Sequence, residues 1–405
     1  MEASPRVGDV VDVEIEKLVF GGEGFARHLG RALFVPFTAA GEHLRVRITR
    51  VERSWARGVV EAVSVASASR RAAPCAHFGR CGGCQLQHLD VAAQLSAKAD
   101  FVREALRRTG KIEWESDIEV LSAGELGYRS RAELQIERDG ASVSGIGYFA
   151  SGSRRVTDVD SCPILAPELE RELLRLRAER EGIPADARSV HLAAGNGQVS
   201  RVFVDADENE VAGQGEVARV TQRVAGFDLR FDARSFFQSN RLLADRLVDV
   251  AVGESRGTLV IELYSGVGFF SLPLARRFAA VLAVEESSAA SQSCADNARA
   301  NGVANLKCEA SSVEEWLDRR AKKRSRPDLV FLDPPRSGAG RRVIDGILRL
   351  EPKTITYVSC DPTTLARDLR LFVDLDWHIE SIEALDMFPQ TFHVETVARL
   401  RRDMG

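Results

Sequence analysis

Near the C-terminal end of the chain stands Val358-Ser359-Cys360-Asp361-Pro362, preceded by the apolar run Ile355-Thr356-Tyr357-Val358 and lying downstream of Asp333-Pro334-Pro335-Arg336. A cysteine at the mouth of a parallel sheet, beside a cofactor crevice, is placed to act as a nucleophile. A second chemical cluster lies far upstream. Cys75, Cys81 and Cys84 form C-x5-C-x2-C, and Cys162 follows at a distance in Asp160-Ser161-Cys162-Pro163. In a reducing compartment clustered cysteines bind metal more often than they form disulfides. Four thiolates hold either zinc or an iron–sulfur cluster, and Gly82-Gly83 lets the backbone fold tightly around an inorganic core. His77 reads as a structural or surface histidine rather than a ligand, and Cys294 and Cys308 sit in helix-like and strand-like contexts.

The third set of residues marks strand ends. Leu259-Val260-Ile261-Glu262-Leu263 is a buried-strand pattern that runs into Tyr264-Ser265-Gly266-Val267-Gly268-Phe269-Phe270. The next strand, Ala280 to Val284, ends in Glu285-Glu286, and Leu329-Val330-Phe331-Leu332 ends in Asp333. Strands alternating with helix-like segments predict an open, doubly wound α/β sheet. Gly266-x-Gly268 lacks the third glycine of a dinucleotide fingerprint, and the chain has no phosphate-binding G-x-x-x-x-G-K-[ST] loop. Glu285 could instead accept hydrogen bonds from both ribose hydroxyls of an adenosine. With Asp333 as a further point on the crevice, the layout suits S-adenosylmethionine (SAM) better than a nucleotide phosphate.

Positioning these groups takes more than one domain, and 405 residues suffice for two or three. Residues 1–66 read as short alternating strands with glycine-rich turns, a small OB-like β-barrel. Its Arg45, Arg47, Arg50, Arg53 and Arg57 are candidates for RNA phosphate contacts. Residues 67–235 form a central α+β domain carrying the four cysteines, with a helical pattern over 90–109 and a strand over Tyr128–Ile136. Arg129, Arg131, Arg154 and Arg155 are further candidate RNA contacts. Residues 236–405 form the Rossmann-like catalytic domain. A content of 44% apolar and 28% charged residues is that of a soluble globular protein. A net charge of −4 leaves room for a local basic surface, such as the run Arg319 to Arg326. No membrane span and no signal-peptide pattern is read, so the expected location is cytoplasmic.

The motifs as a set resemble the RNA (uracil-5-)-methyltransferase family. They are Ser235-Phe236-Phe237-Gln238-Ser239-Asn240, Glu262 to Gly268, Val284-Glu285, Asp333 to Gly338, Tyr357 to Pro362, and Asp386-Met387-Phe388-Pro389-Gln390-Thr391-Phe392-His393-Val394-Glu395. The resemblance extends to an N-terminal barrel of the TRAM type and to a cysteine cluster. It implies a class I SAM-dependent fold, with Gln238, Tyr264, Gly266, Glu285 and Asp333 against SAM. Cys360 would be the nucleophile and Glu395 the base, and Cys75, Cys81, Cys84 and Cys162 would hold a [4Fe–4S] cluster. Two positions depart from the usual pattern: Phe269 and Asp361 are often Asn in relatives.

Uracil C5 is a poor nucleophile, and thiolate addition at C6 turns the ring into an enolate with electron density at C5. Cys360 must therefore reach C6, and a depressed thiol pKa would help. Methyl transfer from SAM requires positioning. A carboxylate then removes the C5 proton. The target uridine is expected to flip out of its stack, with Phe236, Phe237 or Phe388 as stacking partners. The cluster has no evident step and is expected to be structural or to help present RNA. The combination of barrel and cluster resembles the large-subunit rRNA branch of the family, which implies 23S rRNA as substrate. A tRNA uracil-5-methyltransferase and a non-catalytic RNA-binding iron–sulfur protein are the other readings. No obligate protein partner is implied.

Overall fold

The computed structural model describes residues 5–211, 218–320 and 326–402. At the N-terminus six strands form one curled sheet: β1 (Val10–Glu14), β2 (Lys17–Val19), β3 (Glu23–His28), β4 (Arg31–Pro36), β5 (His43–Val51) and β6 (Trp55–Val65), in the order β1-β5-β6-β4-β3-β2. Strict alternation along β5 sends Leu44, Val46 and Ile48 inward and the arginines outward, as the period-two geometry of a strand requires. Three of the candidate phosphate-binding arginines already face barrel carboxylates: Arg47 with Glu61, Arg50 with Glu52 and Arg57 with Glu23. These pairs are exposed and hold their partners weakly.

Helix α1 (Val91–Ala105) starts at Asp90, whose side chain accepts the Ala93 N–H at 2.8 Å. It ends in a π-helical turn, Leu106–Gly110, and the short strand β7 (Val120–Leu121) follows. The middle of the chain then builds a five-stranded sheet from β8 (Arg131–Asp139), β9 (Ser142–Phe149), β10 (Val156–Asp158), β11 (Ser189–Gly195) and β12 (Gln198–Val204). Helix α2 (Pro167–Ala178) covers it with Leu169, Leu173 and Leu176. A hairpin, β13 (Val220–Val224) and β14 (Phe227–Phe231), leads into the catalytic region.

There the elements are α3 (Ala244–Val252), β15 (Gly257–Leu263), α4 (Ser271–Ala275), β16 (Phe278–Glu285), α5 (Ser288–Ala300), β17 (Leu306–Ala310), α6 (Val313–Arg320), β18 (Leu329–Leu332), α7 (Gly340–Arg349), β19 (Thr354–Ser359), α8 (Pro362–Val373), β20 (Trp377–Leu385) and β21 (Glu395–Arg402). The eight-stranded sheet has the order β17-β16-β15-β18-β19-β21-β20-β7. Its first five strands are parallel, and β21 runs antiparallel between β19 and β20. Strand β18 is buried at every residue, as a central parallel strand covered on both faces must be.

The boundaries read from the sequence need two corrections. Strand β7 pairs with β20, and Val102, Ala105, Leu106, Ile118 and Val120 share one core with the catalytic sheet. The stretch from α1 to β7 therefore belongs to the catalytic body, although it lies inside 67–235. The hairpin β13–β14 likewise packs Val220, Leu229 and Phe231 on the other face of that sheet. A boundary drawn at 235/236 cuts through a continuous core. Apolar periodicity gives the elements but not the sheet they join.

Candidate active site

The carboxyl ends of β15, β16, β18 and β19 open on a cleft of about 1010 Å³. Gln238, Tyr264, Gly266, Glu285, Asp333, Cys360 and Glu395 all line it. The seven residues expected to act in catalysis or on the cofactor thus converge from six separate stretches of chain. This is where an open α/β sheet presents its ligand site.

On the cofactor side, Tyr264 leaves β15 with φ +64°, a left-handed conformation that costs a non-glycine residue energy and turns the chain sharply. Gly268 follows at φ +97°, where a Cβ would lie 2.8 Å from Leu272 Cδ1 and 2.9 Å from Cys294 Sγ, so only glycine fits. The Glu285 carboxylate accepts the N–H of Gly266 at 2.9 Å through one oxygen and that of Ser287 at 2.9 Å through the other. This fixes its orientation and leaves further lone pairs free. Gln238 Nε2 donates to Asp333 Oδ2 at 3.3 Å. Burial pushes Asp333 up to about 7, against that hydrogen bond. Phe269 packs edge-on against Phe237 (centroids 5.4 Å apart) and Phe270 (4.8 Å), so the departure from Asn extends an aromatic floor. Phe237 is nearly fully buried, stacked on Phe231 at 4.0 Å, and contributes to the cleft lining from within the core. Phe236, 66% exposed, and Phe388 do line it.

On the reacting side, Cys360 follows β19 and Glu395 opens β21. Burial pushes the Cys360 thiol up to about 12, with the Glu395 carboxylate adding to the shift and Arg336 opposing it. The expected depressed thiol pKa is therefore corrected: partial burial with carboxylates nearby disfavours the thiolate in the unliganded cleft. Burial and the neighbouring Asp333 hold Glu395 well above the usual carboxylate range, and again Arg336 opposes. Arg336 also meets His393 Nε2 at 3.2 Å, while burial lowers His393 to about 3 and keeps it neutral. Arg336 and His393 were not singled out from the sequence, although both lie inside quoted motifs. Asp361 caps α8, accepting the N–H groups of Thr363 (2.8 Å) and Thr364 (3.0 Å). Asn serves equally well as an N-cap, which explains the interchange.

The four upstream cysteines line a separate cavity of about 100 Å³, with Cys162 brought in from beyond β10. All seven cysteines are free thiols. Gly82 donates to Phe149 O at 2.9 Å, and a Cβ there would lie 2.8 Å from that oxygen. Gly83 N–H points to Cys81 Sγ at 3.4 Å. Burial pushes Cys84 up to about 11 and Cys162 up to about 12. His77 is buried and paired with Asp160 at 2.6 Å. Among the described residues no group of three or more His, Cys, Asp or Glu side chains could hold a metal ion.

Of the candidate RNA contacts, Arg129 is turned inward, donating to Arg131 O at 2.9 Å and lining both the cleft and the cysteine cavity. Arg131 donates to Ala233 O at 3.0 Å. Arg154 and Arg155 are exposed. Most of the basic run Arg319 to Arg326, residues 321–325, lies outside the described residues. Among the described residues no helix is long and apolar enough to cross a membrane.

A doubly wound sheet, a tight glycine turn after its first strand and an acidic residue closing the second define a class I SAM-dependent methyltransferase. Residues 201–403 match the tRNA (Uracil-5-)-methyltransferase family model and residues 5–60 the TRAM domain. An uncharacterized RNA methyltransferase of Thermosynechococcus vestitus is 34% identical over 97% of this chain and 98% of its own length. The 23S rRNA (uracil(1939)-C(5))-methyltransferase RlmD of Halomonas elongata is 32% identical over 96% of this chain and 89% of its own. Among solved structures, the Pyrococcus abyssi tRNA (uracil-54, C5)-methyltransferase in complex with S-adenosyl-L-homocysteine superposes with TM-score 0.75 at 29% identity, covering 96% of this chain and all of that one. The chain belongs to the RNA uracil-5-methyltransferase family: it is a SAM-dependent RNA-modifying enzyme with an N-terminal TRAM domain. That membership sets aside the reading as a non-catalytic binding protein.

Proposed function

We propose that the protein methylates C5 of a uridine in 23S rRNA, through a covalent bond between Cys360 Sγ and uracil C6. The observation that carries this is the placement of Cys360 and Glu395 together on one wall of the cleft, with Glu285, Gln238 and Asp333 lining it as well. Gln238, Tyr264, Gly266, Glu285 and Asp333 hold SAM, with Glu285 on the ribose. The uridine enters past Phe236. The half-buried thiol loses its proton to solvent through the open cleft as the uracil arrives, and Arg336 is a cation that stabilises the thiolate. Sγ adds to C6, and the C5=C6 electrons move onto the ring carbonyl as an enolate. C5 then attacks the SAM methyl carbon and S-adenosylhomocysteine leaves. Glu395 takes the C5 proton; its raised proton affinity suits that task. The electrons of that C–H bond restore C5=C6 and expel the Cys360 thiolate.

We further propose that Cys75, Cys81, Cys84 and Cys162 hold a [4Fe–4S] cluster. Four free thiols around one small cavity with Gly83 at its wall support this reading. Such a group would supply a rigid cross-link between segments far apart in sequence. The whole-length likeness to 23S rRNA enzymes supports rRNA as substrate. The likeness to the P. abyssi enzyme keeps tRNA as the second reading. Transfer of labelled methyl from SAM to separate pools of unmodified 23S rRNA and tRNA, with Cys360→Ala as control, tests both. Label in rRNA alone supports the first reading, and label in tRNA alone replaces it with the second.

A further inference from the structure

We propose that Gln390 is a positioning residue for Glu395, and the joint through which the loop bearing Cys75, Cys81 and Cys84 acts on the reaction. This rests on the catalytic reading given above. Glu395 opens β21 directly after a nine-residue loop, 386–394, whose ends are fixed by the pairing of Leu385 with Glu395. The position of that carboxylate is therefore set by how the loop is held.

Gln390 stands in the middle of the loop. It is fully buried, and its φ is +70°. A non-glycine residue keeps such a conformation only where its surroundings over-determine it, and four separate stretches of chain do so here. The Gln390 N–H donates to Gln94 Oε1 at 3.0 Å, and Gln94 Nε2 returns a bond to Gln390 Oε1 at 3.0 Å. Gln390 Nε2 donates to Glu125 Oε2 at 2.8 Å, and Arg71 clasps the same Glu125. The Gln390 carbonyl accepts the N–H groups of Gln85 at 3.0 Å and Leu86 at 2.9 Å.

Gln85 is the residue after Cys84, and its side chain closes back onto Gly82 O at 2.8 Å. The cysteine loop and the loop leading to Glu395 are thus joined by two main-chain hydrogen bonds, without an intervening side chain. The path onward is also stiff. Thr391 donates to Phe388 O at 2.8 Å and accepts the His393 N–H at 3.2 Å, while Phe392 packs on Phe20 of the barrel at 5.2 Å. The cysteine loop has no group in the cleft wall other than through Arg129, yet it fixes the far end of the segment that carries the base.

The consequence is specific to one step. Loosening Gln390 leaves Cys360, on β19, and the SAM residues where they are, but displaces Glu395. Addition and methyl transfer should proceed, and removal of the C5 proton should slow. The methylated RNA then stays bound to Cys360. Misplacement of a reacting group by about 1 Å costs on the order of a hundredfold in rate.

The test uses full-length protein, unmodified 23S rRNA and tRNA, and methyl-labelled SAM. It measures both free methylated RNA and labelled protein–RNA adduct surviving denaturing gel electrophoresis. Gln390→Met keeps the side-chain length and removes the amide bonds; Gln94→Met breaks the same pair from the other side; Cys84→Ser loosens the cysteine loop. Each should cut product release by about tenfold or more and enrich the adduct, with adduct formation within about threefold of wild type. Melting curves accompany every variant. Adduct formation and release falling in parallel, unchanged release, or loss of the native melting transition in both glutamine variants would overturn the proposal. Wild-type protein that labels neither RNA nor adduct would instead sink the catalytic reading beneath it.

Discussion

Cys360 and Glu395 stand side by side because Ser359 pairs with Thr396 across the antiparallel strands β19 and β21, and one step further along that register lie the thiol and the carboxylate. The proposed nucleophile and base thus lie at the end of one main-chain ladder, with Glu395 at the point where the 386–394 loop enters it. Glu285 and Asp333, the acids proposed to face SAM, come from the ends of parallel strands on the other side of β19. Two strand directions meeting at β19 give the cleft its two chemical halves.

Separating those halves by mutation should separate the steps. Cys360→Ala should form no adduct and no product. Glu395→Gln should still add and methylate but release product slower by about a hundredfold or more. Labelled methyl trapped on the protein distinguishes the two. An inactive Glu395→Gln protein with no adduct would place the carboxylate before methyl transfer.

The thiol pushed up to about 12 predicts how the free protein reacts. Alkylation of Cys360 by iodoacetamide, followed by mass spectrometry of its peptide, should climb about tenfold per pH unit from neutral to about pH 9, without the plateau of an ordinary thiol. Arg336→Ala should slow it further at every pH, because a cation that opposes the upward shift is gone. A plateau near neutrality would mean the thiolate is already formed in the empty cleft.

Asp333, raised to about 7 by burial, makes stability depend on pH. A carboxyl group whose proton affinity is higher folded than unfolded stabilises the fold below its unfolded pKa of about 4, and that contribution is lost as pH rises through about 7. Ligand-free protein should therefore melt higher near pH 5 than near pH 8 on this account. Asp333→Asn should melt about 2 °C or more above wild type near pH 8 and bind SAM more weakly. Calorimetry across that range checks both, and an Asn variant that melts lower near pH 8 counts against the shift.

Lys98 buries its ammonium against Asp386 and Phe388 O, tying α1 to the loop before β21. Burial lowers the proton affinity of Lys98 and raises that of Asp386, each opposed by its partner. Lys98→Ala strands a buried carboxylate and should destabilise by about 3 kcal/mol. Lys98→Met combined with Asp386→Leu should recover most of that loss. Denaturation midpoints of the two variants decide it; equal midpoints would show that the pair is not coupled.

Much of the site was legible because strand ends announce themselves. Glu285, Asp333 and Cys360 each follow an apolar run, and in a parallel sheet such positions share one edge. Glu395 came from its motif, not from periodicity. The sequence could not show that Arg129 turns inward, because an arginine after a loop looks the same whether it faces RNA or lines a cavity. Gln390 was equally opaque: its place rests on partners near residues 71, 85, 94 and 125, and no local pattern reports pairings that distant. Strand β7 has two residues and no period to read.

Strand β21, the last described strand in the sequence, is inserted between β19 and β20 rather than added at an edge. During synthesis the growing sheet must keep a slot open between two strands until this one emerges, and its far edge is sealed by β7, made much earlier. Closing that slot pairs segments from opposite ends of the catalytic body, an arrangement of high contact order that folds slowly. A nascent chain therefore carries Cys360, the proposed nucleophile, well before Glu395, the proposed base, is paired, and on that reading it gains the means to release product only when β21 zips into place.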